Sequence, residues 1–318
     1  YGRYADANEI YALAETAAKK LGSQEQLVKT LIRWSEMGLE QSDYDRVWSR
    51  LETALPIAYQ LEDDSAVGQV KYLQGYVLQD QGEYSKAEKL VAESICLFGE
   101  QLDILSQAKA TDLLGWIYYE SDERTDRSKQ ATIDALKLFN KSEEVLEKTS
   151  TYRLQASIAY REKAYKESEN HAINALSIAE AFNSSGEVMA SLYLLLAIYG
   201  ALDQYESAKK AAIRALHVAQ QIGNGRYEGM IQHEFSAILI KSGDLNRAKE
   251  ITEKNLKIFE HIEDRRNYGF ALRQMGDIYA ELKNHEMSQK HWQMAQAVAK
   301  HTQNDVLLLQ MLERLGKA

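Results

Sequence analysis

Proline is almost absent from this sequence of 318 residues. Pro56 is the only one, whereas average usage of about 5% would give roughly 16. Because proline interrupts helix interiors and the middle of sheets, so low a content favours long uninterrupted elements. The many Ala, Leu, Glu, Lys and Gln residues are strong helix formers. The composition therefore predicts an all-α chain.

Cysteine, positive charge and long apolar runs are also scarce. Cys96 is the only cysteine, which excludes an internal disulfide framework and a zinc site built on cysteines. The formal net charge is −9 and no basic run is present, which disfavours nucleic acid and anionic membranes as partners. No apolar stretch reaches the roughly 18 residues of a membrane span, and no signal-peptide pattern opens the sequence. We therefore expect a cytoplasmic protein.

The main feature that is present is an internal repeat with a period of about 40 residues, a length typical of solenoid arrays. The repeat copies can be aligned, and the second residue of the aligned segment is then Tyr44, Tyr84, Tyr165, Tyr205, Leu245 or His285. The double step between Tyr84 and Tyr165 holds a divergent copy with one inserted residue, near Thr125. Three positions further on, every copy has a small or β-branched residue, namely Val47, Ala87, Ser128, Ser168, Ala208, Ala248 and Ser288.

Each copy has the pattern of two helices joined by a turn. In the second half of each copy, apolar or small residues recur at i, i+3, i+7, i+10 and i+11, which is helical periodicity. Gly82 and Gly243 lie between the two halves, where a helix C-terminus favours a residue that tolerates positive φ. We expect Ala87, Ala208 and Ala248 to be buried where the two helices of a hairpin meet.

The repeat resembles the tetratricopeptide repeat over about residues 4 to 303. Gly75, Gly82, Tyr84 and Ala87 reproduce that family's offsets across a helix–turn–helix. The repeat differs from that of the family in two features. Its unit is longer than the usual length of about 34 residues, and it lacks the family's terminal proline. Variants with this longer unit are similar to arrays in bacterial signal-transduction ATPases with numerous domains, in pheromone-sensing regulators and in kinesin light chains. The resemblance implies a superhelical solenoid of antiparallel hairpins.

The register also predicts how the chain is organised. Residues 1–22 correspond to the second helix of a truncated repeat, residues 23–303 to seven repeats, and residues 304–318 to a C-terminal capping helix, which solenoids need. The incomplete first repeat, together with a chain that starts at Tyr1, leads us to expect further residues upstream in the full-length protein.

No catalytic, cofactor-binding or metal-binding motif in the sequence has the residues and spacing that it requires. His233-Glu234 begins like HExxH, but Ala237 replaces the second histidine that a zinc site needs. The glycines between Gly223 and Gly229 echo a dinucleotide loop but have one residue too many and no preceding strand. Because Cys96 stands between Ile95 and Leu97, we expect a buried thiol. We therefore expect a protein that is not an enzyme and carries no cofactor or metal.

The resemblance implies that the first helices line a concave groove and that ligands bind there. Aromatic and arginine side chains are frequent anchors at interfaces. We use the term groove columns for the repeat positions that correspond to the groove-lining positions of the family. Our candidate partner-binding residues in these columns are Tyr72, Tyr76, Arg153, Tyr160, Arg161, Tyr193, His233 and Arg273. Two alternatives stay open, since tyrosines can pack between hairpins and arginines can pair with neighbouring carboxylates. No repeat has the lysine and asparagine spacing of the family's clamp for chaperone tails.

Charge is distributed unevenly over these columns. The first three repeats contribute Glu36, Glu40, Asp80 and Glu120, and the fourth to seventh contribute Arg153, Arg161, Lys241 and Arg273 against Asp277 and Glu281. Because a surface of one sign attracts the opposite sign, we expect an acidic segment of a protein or peptide to dock near Arg153, Arg161 and Tyr193.

The sequence thus predicts a protein- or peptide-binding array. The leading hypothesis is the ligand-recognition arm of a larger bacterial signalling or defence regulator, with an effector or ATPase domain upstream. The alternative is a receptor domain for a short signalling peptide in a pheromone-type regulator.

Overall fold

The computed structural model describes residues 2–40, 43–121 and 125–316, and all its regular elements in these ranges are helices. The sixteen helices are α1 (Gly2–Lys20), α2 (Gln24–Glu40), α3 (Tyr44–Gln60), α4 (Asp64–Asp80), α5 (Tyr84–Glu100), α6 (Ile104–Glu120), α7 (Thr125–Lys141), α8 (Lys148–Arg161), α9 (Tyr165–Ala181), α10 (Ser185–Ala201), α11 (Tyr205–Ile222), α12 (Gly225–Lys241), α13 (Leu245–His261), α14 (Arg265–Glu281), α15 (His285–His301) and α16 (Asp305–Gly316). The all-α prediction is confirmed. Within these ranges, no helix is both long and apolar enough to cross a membrane.

The helix starts follow the register of the repeat. Odd-numbered helices from α3 onward begin at residues 44, 84, 125, 165, 205, 245 and 285, so the inserted residue lies where the sequence predicted it. The even-numbered helices keep the same step except α8. This helix begins at Lys148 and has 14 residues, where most of the others have 17.

The chain consists of two compact units, which are described separately. Unit 1 is Tyr1–Ile158 and unit 2 is Ala159–Ala318, so the boundary falls inside α8. In unit 1, α2 contacts α4 and α4 contacts α6, and in unit 2 the series α10, α12, α14 and α16 is in contact in the same way. In the described part of the chain, no two odd-numbered helices make such contact. We call the side of each unit formed by the even-numbered helices its inner face.

Small residues allow the helices of each hairpin to approach closely. Ala87, Ala208 and Ala248 are fully buried, as the register predicts. A Cβ atom added to Gly75 would lie 2.4 Å from Cγ2 of Val91, which is far inside normal packing distance. The small columns of the repeat are therefore the places where one helix packs on the next.

The turns share one backbone conformation. The residue two positions after the end of the helix has positive φ at Gly82 and Gly243, and also at non-glycine positions such as Leu102 and Asp203. The N–H of Gly82 donates to the Gln79 carbonyl at 2.9 Å. This left-handed residue satisfies carbonyls at the helix end, so each connection needs only a few residues.

Candidate ligand-binding face

One column of candidate residues runs along the inner face of unit 2. Tyr193 on α10, His233 on α12 and Arg273 on α14 occupy the same register position in successive repeats. All three side chains are half-buried. Because α10 contacts α12 and α12 contacts α14, the fold brings the column together on one surface.

The tyrosines of unit 2 serve partly in packing. Tyr193 packs against the core of the unit and meets Tyr227 edge to face, with ring centroids 6.1 Å apart. Burial, followed by the charge of Glu234, raises the pKa of Tyr193 above its ordinary value. Tyr160 meets Tyr165 with centroids 5.5 Å apart. Such rings are already held in place, so a ligand would meet ordered aromatic surfaces.

Asp277 is the centre of an ion-pair cluster on α14. Arg314 on α16 donates to it through a fork, from Nε to Oδ1 at 2.6 Å and from Nη2 to Oδ2 at 3.0 Å. Trp292 Nε1 also donates to Oδ1, at 3.0 Å. Arg273 Nη1 lies 3.4 Å from Oδ2, which is long for a hydrogen bond. The alternative that arginines pair with neighbouring carboxylates therefore holds for Arg273, although weakly.

His233 is held as a neutral imidazole beside this cluster. Burial, and then the positive charge of Arg273, lower the pKa of His233 to about 4. Its backbone carbonyl accepts a hydrogen bond from Gln274 Nε2 at 2.9 Å, which ties α12 to α14. Its Nδ1 atom is buried and has no hydrogen-bond partner in the described structure.

The exposed charges on this face of unit 2 have both signs. Arg161 and Lys241 are exposed at the ends of α8 and α12, and Glu281 is exposed at the end of α14. Glu234 is half-buried, and burial raises its pKa. The predicted positive character therefore depends mainly on Arg161, Lys241 and Arg273.

The inner face of unit 1 is aromatic and acidic. Burial is the main cause that raises the pKa of Tyr72, whereas Tyr76 is 38% exposed. The guanidinium carbon of Arg153 lies 5.9 Å from the ring centroid of Trp116. Exposed carboxylates of the groove columns on this face are Glu36, Asp80 and Glu120, and the side chain of Glu40 lies outside the described residues.

Some site residues were missed by sequence reasoning. The sequence assigned Arg314 only to a capping helix. However, Arg314 follows Glu234 and Gln274 at the 40-residue step of the repeat, so the register could have placed it on the same face. Trp116 stands beside Ile117 in the first-helix pattern of its repeat, and only the fold shows that its Nε1 donates to Ser150 Oγ at 3.0 Å.

The prediction of a buried thiol was wrong. Cys96 is exposed, and it lines a surface cavity of about 390 Å³ together with Tyr59, Lys71 and Glu93. In the described residues, no group of three or more His, Cys, Asp or Glu side chains could hold a metal ion. Residues 122–124, between α6 and α7, lie outside the described residues.

The comparisons with known proteins agree with this architecture. No family model and no curated protein matches the sequence. A Rap protein complexed with competence and sporulation factor is 14% identical, with a TM-score of 0.66 over 99% of this chain and 93% of that chain. The Rap conjugation gene regulator of the plasmid pLS20, in complex with the Phr* peptide, is 12% identical, with a TM-score of 0.68 over 90% of this chain and 78% of that chain.

A third similar structure is a Signal Transduction ATPase with Numerous Domains from Pyrococcus horikoshii, which carries a tetratricopeptide repeat sensor. It is 17% identical, with a TM-score of 0.65 over 97% of this chain, and the matched region spans 50% of that protein. At these identities the similarity establishes the fold. The chain folds as a tetratricopeptide-like solenoid of helical hairpins, as its register predicts.

Proposed function

We propose that this chain is a non-catalytic array that binds an extended protein or peptide segment along the inner face of unit 2, as the ligand-recognition arm of a larger bacterial signalling or defence regulator. The observation that carries the proposal is the column of Tyr193, His233 and Arg273 on successive inner helices. Packed helices lie roughly 8–10 Å apart, a distance that an extended peptide covers in about three residues.

The charges support an acidic segment as the ligand. Arg161 and Lys241 are exposed on this face, and Arg273 is only weakly paired, with Nη1 at 3.4 Å from its carboxylate partner. Positive side chains beside low-dielectric aromatic walls attract and orient negative groups. We therefore assign the binding of acidic side chains to unit 2.

The structural neighbours support a protein or peptide ligand. The two Rap structures are complexes, one with competence and sporulation factor and one with the Phr* peptide. The sensor of the archaeal ATPase is part of a longer protein, which is the arrangement that our proposal expects for this chain.

A peptide array tests the proposal. Immobilised short peptides with Asp, Glu, Lys or aromatic residues at varied positions are probed with the full chain, and the best binders are measured by fluorescence anisotropy. We expect acidic peptides to bind, and to bind more weakly as added salt screens the charges. The double variant Arg161→Glu/Lys241→Glu should bind about tenfold more weakly, which is about 1.4 kcal/mol.

The matched control reverses two charges on the outer side of the same unit. Lys210 on α11 and Lys257 on α13 are exposed, so Lys210→Glu/Lys257→Glu makes the same change of net charge without touching the inner face. Equal weakening by the inner and outer reversals would contradict a defined binding face. Binding of lysine-rich peptides in preference to acidic ones would contradict the assigned ligand chemistry.

A further inference from the structure

We propose that His233 and Arg273 form a carboxylate-binding subsite on the inner face of unit 2, which receives one acidic side chain of an extended ligand. This inference rests on the proposed function and assigns two side chains to it. The observations behind it are two buried nitrogen atoms without hydrogen-bond partners, their placement in the repeat register, and a neighbouring carboxylate that is already occupied.

Arg273 has donor capacity that its own surroundings do not use. Asp277 is the nearby carboxylate, and its oxygens already accept two hydrogen bonds from Arg314 and one from Trp292, at 2.6–3.0 Å. Arg273 Nη1 stands at 3.4 Å from it. The Nε atom of Arg273 is buried and has no partner among the described residues. Because a guanidinium presents a planar fork of donors, a second carboxylate can bind it without displacing Arg314.

His233 offers the second contact from the adjacent helix. Its Nδ1 atom is buried and likewise has no partner in the described part of the chain. The charged and titratable groups that act on its imidazole are Arg273 and Asp277. The two unpartnered nitrogens occupy the same register of neighbouring helices, so one shared acceptor would satisfy both of them. The proposal therefore requires the tautomer of His233 that carries its proton on Nδ1, and a carboxylate then has oxygens enough to accept from both nitrogens.

The repeat register explains why this acceptor is absent from the protein itself. On α14, the carboxylate of Asp277 stands four residues after Arg273. On α12, the position four residues after His233 is Ala237. The helix that carries His233 therefore has no acidic side chain at the position where α14 has one, and a carboxylate from a ligand would fill that role.

The test observes the histidine side chains of the full chain by nuclear magnetic resonance with ¹⁵N-labelled histidine. Sodium acetate is titrated at pH 6 against sodium chloride at equal ionic strength, and sodium phosphate forms a separate arm. We expect a saturable shift of the His233 resonances with acetate, with a dissociation constant in the millimolar range. His217, which is exposed on α11, is the internal control and should not saturate.

Two variants make the result specific. Arg273→Gln removes the charge and leaves the fork between Arg314 and Asp277 in place, so it should abolish the saturable response. Ala237→Asp supplies an internal carboxylate one helical turn from His233. It should raise the pKa of His233 by about one unit or more and block acetate. The second variant keeps the proposal testable even where Arg273→Gln affects folding.

The possible failures point to different conclusions. A His233 shift no larger than that of His217, or an unchanged response in Arg273→Gln, overturns the subsite. A response to phosphate without one to acetate overturns the assignment of a carboxylate. If acidic peptides still bind and still depend on Arg161 and Lys241 in either case, the proposed function stands and only the subsite is lost.

Discussion

At the scale of single residues, the left-handed glycines of the turns act through backbone conformation rather than through side-chain packing. Gly22, Gly82, Gly223 and Gly243 have positive φ at the turns. A Cβ atom added at any of these four glycines would meet nothing within 4 Å. The penalty for a side chain there would come only from the left-handed conformation.

We predict that Gly82→Ala lowers the free energy of unfolding by about 1 kcal/mol, because a left-handed residue with a Cβ atom is strained. Denaturant unfolding followed by circular dichroism measures the change. Gly186 is the matched control, since it lies in α10 without positive φ and a Cβ atom there also meets nothing within 4 Å. Gly186→Ala should be neutral or stabilising, and equal losses for both variants would contradict the argument.

The exposure of Cys96 shows what a residue-level argument can miss. Cysteine is usually buried, and its neighbours Ile95 and Leu97 favoured that interpretation. The repeat contained the opposite signal, because the equivalent residues are Pro56, Lys137, Ser177, His217, Lys257 and Ala297, and all of them are exposed. The column of a repeat is thus a better guide to burial than the type of one residue.

At the scale of elements, the hairpins are defined by small residues at the helix crossings. Ala208 on α11 is fully buried, and its core cluster includes Leu196 and Ile238 on the inner helices α10 and α12. Protein interiors are close-packed, so the volume available at such a crossing is fixed by the neighbouring helix backbone.

We predict that Ala208→Leu overpacks this crossing and reduces the free energy of unfolding by roughly 1–3 kcal/mol. Thermal unfolding of the variant and the parent chain provides the measurement. Ala181→Leu makes the same substitution at an exposed position near the end of α9 and should change stability little. An unchanged melting temperature for Ala208→Leu would mean that the crossing accommodates the larger side chain.

The helices were predictable from the sequence because hairpin positions recur at a constant step along the chain. The late start of α8 was not predictable, because the connection over residues 142–147 is longer than the other turns and contains no glycine or proline that would mark where the helix begins. The pairing of Arg273 with Asp277 follows a spacing of four positions and was open to prediction. The fork from Arg314 to the same carboxylate joins residues 37 positions apart, so it required the fold.

At the scale of the whole molecule, each of the two units has an inner face of its own character. The face of unit 1 has the exposed carboxylates Glu36, Asp80 and Glu120, and that of unit 2 has Arg161, Lys241 and Arg273 together with the carboxylate of Glu281. The sequence predicted a positive surface over the fourth to seventh repeats, but Arg153 of that set lies in unit 1. It could not predict that Tyr72 and Tyr193 would be partly used in packing, because burial depends on how closely neighbouring helices approach.

The most direct test of the central claim is to locate a bound peptide. An acidic peptide selected from the array is made with benzoylphenylalanine at one position, bound to the full chain and photo-crosslinked. The attachment sites are then identified by mass spectrometry. We predict adducts on the inner helices of unit 2, at or near Tyr193 and Arg273. Adducts concentrated on odd-numbered helices, or in the cavity beside Cys96 and Tyr59, would contradict the account.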